Sequence, residues 1–173
     1  MTNIPVIETK NLRLRAPCMA DLAAYEGFGA SEQSKHVGGP FSLDQLFVKL
    51  AAVAGHWNLR GYGRFLVADK ATDEALGIVG PYYPANWVAP EIAWTVFGDA
   101  EGRGVAYEAA VASREWAYEA LGWDSVVSCI SADNTRSQRL ARRLGAVKEE
   151  TPFTHPEYGV LEIWRHPSRE ALS

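Results

Sequence analysis

Cysteine is nearly absent: the chain carries two, Cys18 and Cys129, far apart in 173 residues. Neither sits in a redox or metal-ligand spacing, so disulfides do not make this fold. The four histidines, His36, His56, His155 and His166, also lack ligand spacing, and metal catalysis finds no support. Long apolar runs are missing. Nothing approaches the roughly 18 to 20 consecutive apolar residues of a membrane span. The opening MTNIPVIETKNLRLRAP is interrupted by polar residues before a signal-peptide core can form. Neither sign of charge dominates: 17 basic and 21 acidic side chains give a net charge of -4, which argues against a nucleic-acid binder. The absences together point to a cytoplasmic protein with neither a membrane nor a nucleic acid as partner.

What remains is a chain 47% hydrophobic and 22% charged, ordinary for one folded domain of about 150 residues. Residues 1–173 read as a single domain with its core at about 8–165. Its hydrophobic period alternates along the chain. Residues 12–15 (LRLR) alternate as a half-exposed strand does, and residues 19–28 read as a short helix. Ser42 and Gln45 form a capping-box pair ahead of Leu46, Leu50, Val53 and Trp57, and Gly61 closes that helix. Short strands follow at 64–68, 75–79 and 92–97, separated by turn residues at 69–74 and 81–90. A helix from Gly104 to about Leu121 places Val105, Ala109, Ala112, Trp116 and Ala120 on one stripe. A strand at 125–130, a helix at 134–144 and a strand at 158–164 complete the order β-α-α-β-β-β-α-β-α-β. Such an order favours a mixed α/β sheet.

The densest chemical signal is Gly98-Asp99-Ala100-Glu101-Gly102-Arg103-Gly104-Val105-Ala106, between a strand and an amphipathic helix. The first amides of a helix lack intrahelical acceptors, and the dipole favours negative charge there, so a phosphate fits. A dinucleotide fingerprint would need Gly or Ala where Tyr107 stands, and no GK[ST] follows for a P-loop. Both nucleotide motifs are excluded.

Three blocks now carry a resemblance. They are Glu91-Ile92-Ala93-Trp94 with Gly102-Arg103-Gly104-Val105-Ala106-Tyr107-Glu108-Ala109, then Asn134-Thr135-Arg136-Ser137 with Arg142-Arg143-Leu144-Gly145-Ala146, and the opening Glu8-Thr9-Lys10-Asn11-Leu12-Arg13-Leu14-Arg15. In order and spacing the chain resembles the Gcn5-related N-acetyltransferases, specifically the branch of the ribosomal-protein N-terminal acetyltransferases. The resemblance implies a mixed, largely antiparallel sheet flanked by helices, with two splayed central strands. It also implies acetyl-CoA as acyl donor, with its pyrophosphate on the amides of Gly102, Arg103, Gly104, Val105 and Ala106. The backbone of the strand holding Trp94 and Val96 would then bind the pantetheine arm. The family motif begins with Gln or Arg where Glu101 stands, which would weaken the local positive field.

By the same resemblance, Asn134 contacts the pantetheine or substrate, and Ser137 lies near the CoA sulfur. From the sequence alone, Asn134 is an N-cap, and Ser137 shares a face with Leu140, Ala141 and Leu144. Many relatives place a tyrosine acid one turn on, where Ala141 stands, which leaves Ser137 as the candidate proton donor to the thiolate. Glu91 is the candidate base for the amine; Glu108 reads as support for the turn, and Glu149 or Glu150 could point toward the acceptor. Arg136, Arg139, Arg142 and Arg143 form either a solvated face or an attractor for CoA phosphates. The acceptor site is expected from the early helices and the 81–90 loop, with Tyr82, Tyr83, Trp87 and Trp94 as aromatic surface and His36 with Gly38-Gly39 as a candidate lid. The expected activity is acetyl transfer to a primary amine, on a protein N-terminus or a small molecule, with a non-catalytic acyl-CoA sensor as the alternative. A monomer and a homodimer are both open.

Overall fold

The computed structural model describes residues 3–173. Its strands are β1 (Ile7–Glu8), β2 (Leu12–Arg15), β3 (Phe65–Asp69), β4 (Ala75–Tyr82), β5 (Glu91–Val96), β6 (Val127–Ser131), β7 (Val147–Lys148), β8 (Phe153–His155) and β9 (Gly159–Arg165). Its helices are α1 (Leu22–Gly29), α2 (Leu43–Arg60), α3 (Val105–Ala120), α4 (Thr135–Arg143) and α5 (Arg169–Leu172). All the strands join one mixed sheet in the order β1-β2-β3-β4-β5-β6-β9-β7, with β8 also on β9.

Strand alternation sorts the core onto two faces. Phe65 and Val67 join Val105, Ala109 and Ala110 of α3, whereas Leu66 and Ile78 join Leu46, Leu50 and Val53 of α2. The α2 stripe is therefore as expected, and so are its caps. Ser42 accepts from the Gln45 amide, and Gly61 ends the helix at φ 76°. The α3 stripe is rotated from expectation: Ala120 is exposed, and the sheet-facing side includes Ser113, Arg114 and Ala117.

Element ends also differ. The helix expected at 19–28 begins as a 3-10 turn (Met19–Asp21) before α1. Strand β4 runs through Pro81 to Tyr82 instead of ending before the proline. Pro81 lies beyond Phe65, the last residue of β3 in the ladder, so its missing N–H breaks no bond on that side.

The decisive departure from regular pairing lies between β5 and β6. They run parallel, but only Glu91 and Val127 are in register. Beyond that point the two strands separate, and side chains bridge the gap. The Ser128 hydroxyl donates to the Ile92 carbonyl at 2.7 Å, and the Cys129 amide donates to Glu91 Oε1 at 2.8 Å.

A buried polar chain backs this junction. Ser128 spends its proton on Ile92, so His166 Nε2 donates to Ser128 Oγ (2.9 Å) and His166 Nδ1 accepts from Arg114 (3.0 Å). Arg114 also donates to the Leu144 carbonyl at 2.8 Å. Burial, aided by Arg114, pushes the His166 pKa down to about 3 and keeps the ring neutral. Arg114→Met would leave Leu144 C=O and His166 Nδ1 without their donor, at about 1–3 kcal/mol for each buried group. The expected loss is about 2–6 kcal/mol by urea denaturation; an unchanged midpoint would contradict this role.

Candidate active site

A cavity of about 1490 Å³ opens where β5 and β6 part. The glycine turn and α4 form one side, and α2, the end of β4 and the β8–β9 hairpin form the other.

Gly102 and Gly104 have φ of 76° and 80°, a left-handed geometry that side chains with Cβ disfavour. No neighbour lies within 4 Å of a Cβ built at either residue, so backbone conformation is what calls for glycine there. Among the described residues, the amides of Gly102, Gly104, Val105, Ala106 and Tyr107 have no backbone acceptor. Gly102, Gly104, Val105 and Ala106 line the cavity. Arg103 does not: its side chain is exposed, and its amide turns back to the Ala100 carbonyl at 3.4 Å.

The backbone of β5 adds a second row of free groups. Phe97 N–H bonds the Leu76 carbonyl, and hydrogen-bonded pairs alternate along an antiparallel ladder. Thr95 and Ala93 therefore face β4, while Ile92, Trp94 and Val96 turn their peptide groups toward the split. Ile92 is taken by Ser128; Trp94 and Val96 are open to the cavity.

On the far wall, Asn134 Oδ1 caps α4 by accepting from the Ser137 amide at 3.1 Å. Trp94 Nε1–H donates to Ser137 Oγ at 3.1 Å. That contact occupies a lone pair and leaves the Ser137 proton free for another acceptor. Ala141 is fully buried beside Ile130 and Trp164, so its position belongs to packing.

Glu91 is 4% exposed, yet it borders the cavity. Desolvation raises its pKa to about 7. Its bonds from the Cys129 amide and from Trp87 Nε1–H (2.6 Å, to Oε2) oppose that rise without cancelling it. Burial pushes the neighbouring Cys129 thiol up, with Glu91 adding to the effect, so that thiol stays protonated.

Of the other expected acids, Glu150 is exposed and the rest are engaged elsewhere. Glu108 ties α3 to the β1–β2 turn by accepting from Thr9 (2.6 Å) and Asn11 (2.8 and 2.9 Å). Glu149 pairs with Arg165. Glu101 pairs with Arg136 and accepts from Gln33 (3.3 Å), so its charge is neutralised at the cavity mouth. Among the arginines, Arg142 lies over Trp164 and Arg143 over Tyr107, while Arg139 borders the cavity without an ion-pair partner among the described residues. Tyr82 and Trp87 line the acceptor half, whereas Tyr83 stacks under Arg60. His36 and Gly38 lie at the rim.

Lys49, Arg64 and Tyr158 also stand in the wall, none of them among the site residues expected from the sequence. Lys49 carried a usable signal, because it interrupts the buried 46/50/53 stripe of α2. His56, also in the wall, is fully engaged: Nε2 accepts from the Tyr83 amide and Nδ1 donates to the Tyr62 carbonyl.

A split α/β sheet with free helix-terminal amides beside the gap is a geometry that can receive an anion. The chain belongs to the GNAT acetyltransferase family, whose description, acetyltransferase (GNAT) domain, matches residues 11–147. It is 34% identical to an acetyltransferase from Agrobacterium tumefaciens str. C58, with 95% of each chain covered and a TM-score of 0.84. A GnaT-family acetyltransferase from Bordetella pertussis is 25% identical, over 94% of this chain and 99% of that one, with a TM-score of 0.77. RimL, a ribosomal L7/L12 alpha-N-protein acetyltransferase in complex with coenzyme A, is 17% identical over 94% and 98% of the chains, at TM-score 0.75. At that identity the likeness is one of fold. Among the described residues, no helix is long and apolar enough to cross a membrane, and no group of His, Cys, Asp and Glu could hold a metal ion.

Proposed function

We propose that this chain, as a single domain in the cytoplasm, transfers an acetyl group from acetyl-CoA to a primary amine by direct attack with both substrates bound. One observation carries the reading. Free helix-terminal amides, the open peptide groups of Trp94 and Val96, and the buried carboxyl of Glu91 all meet one cavity.

Acetyl-CoA supplies an acyl group on a thiolate leaving group. The amides of Gly102, Gly104, Val105 and Ala106 hold its pyrophosphate, with the Arg139 charge nearby. Trp94 and Val96 bind the pantetheine arm through their backbone, and Asn134 and Ser137 border the thioester. Glu91, poised near neutrality, removes a proton from the incoming ammonium. Much of the rate comes from holding the amine against the acyl carbon. Ser137, oriented by Trp94, passes its hydroxyl proton to the departing sulfur and is reprotonated by the proton that the acylated nitrogen sheds as it becomes an amide.

Ser137→Ala is expected to lower turnover by about tenfold, below the usual range of acid catalysis because a thiolate leaves readily. Acetyl-CoA affinity should change much less, and equal turnover for the two proteins would remove Ser137 from the acid role. A non-catalytic acyl-CoA sensor has one observation in its favour, the absence of a phenol at buried Ala141. Release of free thiol from acetyl-CoA across an amine panel separates the two readings. Amine-dependent release supports the enzyme; binding without turnover supports the sensor.

A further inference from the structure

The acceptor half of the cavity holds two cations with no carboxylate partner. Lys49 and Arg64 both line it, and neither forms an ion pair among the described residues. Their contacts are with ring faces: Lys49 Nζ lies 4.3 Å from the Phe41 centroid, and the Arg64 guanidinium lies 4.6 Å from that of Tyr82. Ring faces offset part of the cost of holding charge away from water, but they leave the N–H donors unused.

Both cations stand on the inner wall. Lys49 sits on α2 between buried Leu46, Leu50 and Val53, and Arg64 lies between buried Gly63 and Phe65 at the start of β3. The acids of this half do not cancel them. Glu91 bonds Trp87 and the Cys129 amide and feels the Arg64 charge without pairing with it; Glu157 is exposed on the β8–β9 turn, where Lys49 feels its charge without pairing with it. Tyr82, under Arg64, leads to Trp87, which bonds Glu91: the two rings are 5.5 Å apart at 74°, with Tyr158 6.0 Å from Trp87.

We infer that the acceptor is a small amine carrying its own anionic group, a carboxylate or phosphate, with Lys49 and Arg64 binding the anion, the rings flanking the body, and the amine directed to Glu91. The inference rests on the acetyl-transfer reading and narrows its acceptor. A polypeptide terminus fits less well, because beyond its amine it presents a neutral amide to the two cations.

The test compares acceptors that differ in one charge: L-phenylalanine against L-phenylalaninamide, phosphoethanolamine against ethanolamine, and a neutral, C-terminally amidated tetrapeptide. At least one anionic member should exceed its neutral partner in kcat/KM by about tenfold or more, as expected for charge-assisted hydrogen bonds. The responding pair distinguishes carboxylate from phosphate. In the Lys49→Met/Arg64→Met protein the ratio should fall to about one, whereas Arg64→Lys should retain most of it; calorimetric acetyl-CoA binding checks that each variant folds. A tetrapeptide or neutral amines that match the anionic ones, or a ratio that survives the double substitution, would overturn the inference. If no amine is acetylated, acetyl transfer fails, and the pairs are read instead by Trp fluorescence titration of the CoA-loaded protein. Tighter anion binding that the double variant loses keeps the site; equal binding removes it.

Discussion

Glu91→Gln should lower amine turnover by about 10²- to 10⁴-fold, the usual contribution of a positioned general base. Acetyl-CoA affinity should move far less, because Glu91 touches the Cys129 amide and Trp87 rather than the glycine turn. In the unsubstituted protein, kcat/KM should climb with pH through about 7, where the buried carboxyl loses its proton. That limb should vanish in Glu91→Gln, and a limb that persists at the same pH would assign the base elsewhere. Stability carries an independent signature. The folded carboxyl binds its proton up to about pH 7, against an ordinary value of 4.5, so Glu91 makes stability fall as pH rises between those values. His166 acts in the opposite sense. It stays neutral down to about pH 3 against an ordinary 6.5, so its contribution falls as pH drops through that window. The two slopes oppose each other between about 4.5 and 6.5, and Glu91→Gln should uncover a clear rise of Tm with pH there.

Gly104→Val should weaken acetyl-CoA binding by about 10²-fold, the equivalent of one or two charge-assisted hydrogen bonds at about 1.5–3 kcal/mol each. The reason is conformational. Gly104 sits at φ 80° as the residue capping α3, and a β-branched residue there is a strained outlier. Relief of that strain turns the first amides of α3 away from their common focus. A Cβ at this position meets open space, so the fold should lose only about 1–2 kcal/mol for the strained residue. Calorimetry reads the affinity and thermal melting reads the fold. Unchanged affinity would sink the assignment of this turn to the pyrophosphate.

The parts of this molecule legible in its sequence are those governed by local rules. The Ser42 cap, the 46/50/53/57 stripe, Asn134 ahead of α4 and the glycine turn all express backbone requirements within a few residues. Strands of two or three residues such as β1, β7 and β8 are shorter than any periodic window, so pairing with neighbours creates them. Glu91 was visible as a candidate, but its raised pKa comes from burial that only the fold creates, with the bonds from Trp87 and the Cys129 amide opposing it. The Arg114–His166–Ser128 chain joins residues 38 and 52 positions apart, a contact no local pattern announces. Arg64 gave no signal either, since an arginine opening a strand looks like any surface cation until the cavity forms around it.

One assay addresses amine acetylation at the split between β5 and β6 directly. Free thiol released from acetyl-CoA is measured with and without amine, alongside mass spectrometry of the amine. The expected result is saturable, amine-dependent thiol release matched one for one by acetylated amine, and its loss in Glu91→Gln. Acetyl-CoA binding with no amine-dependent release across the panel would contradict it.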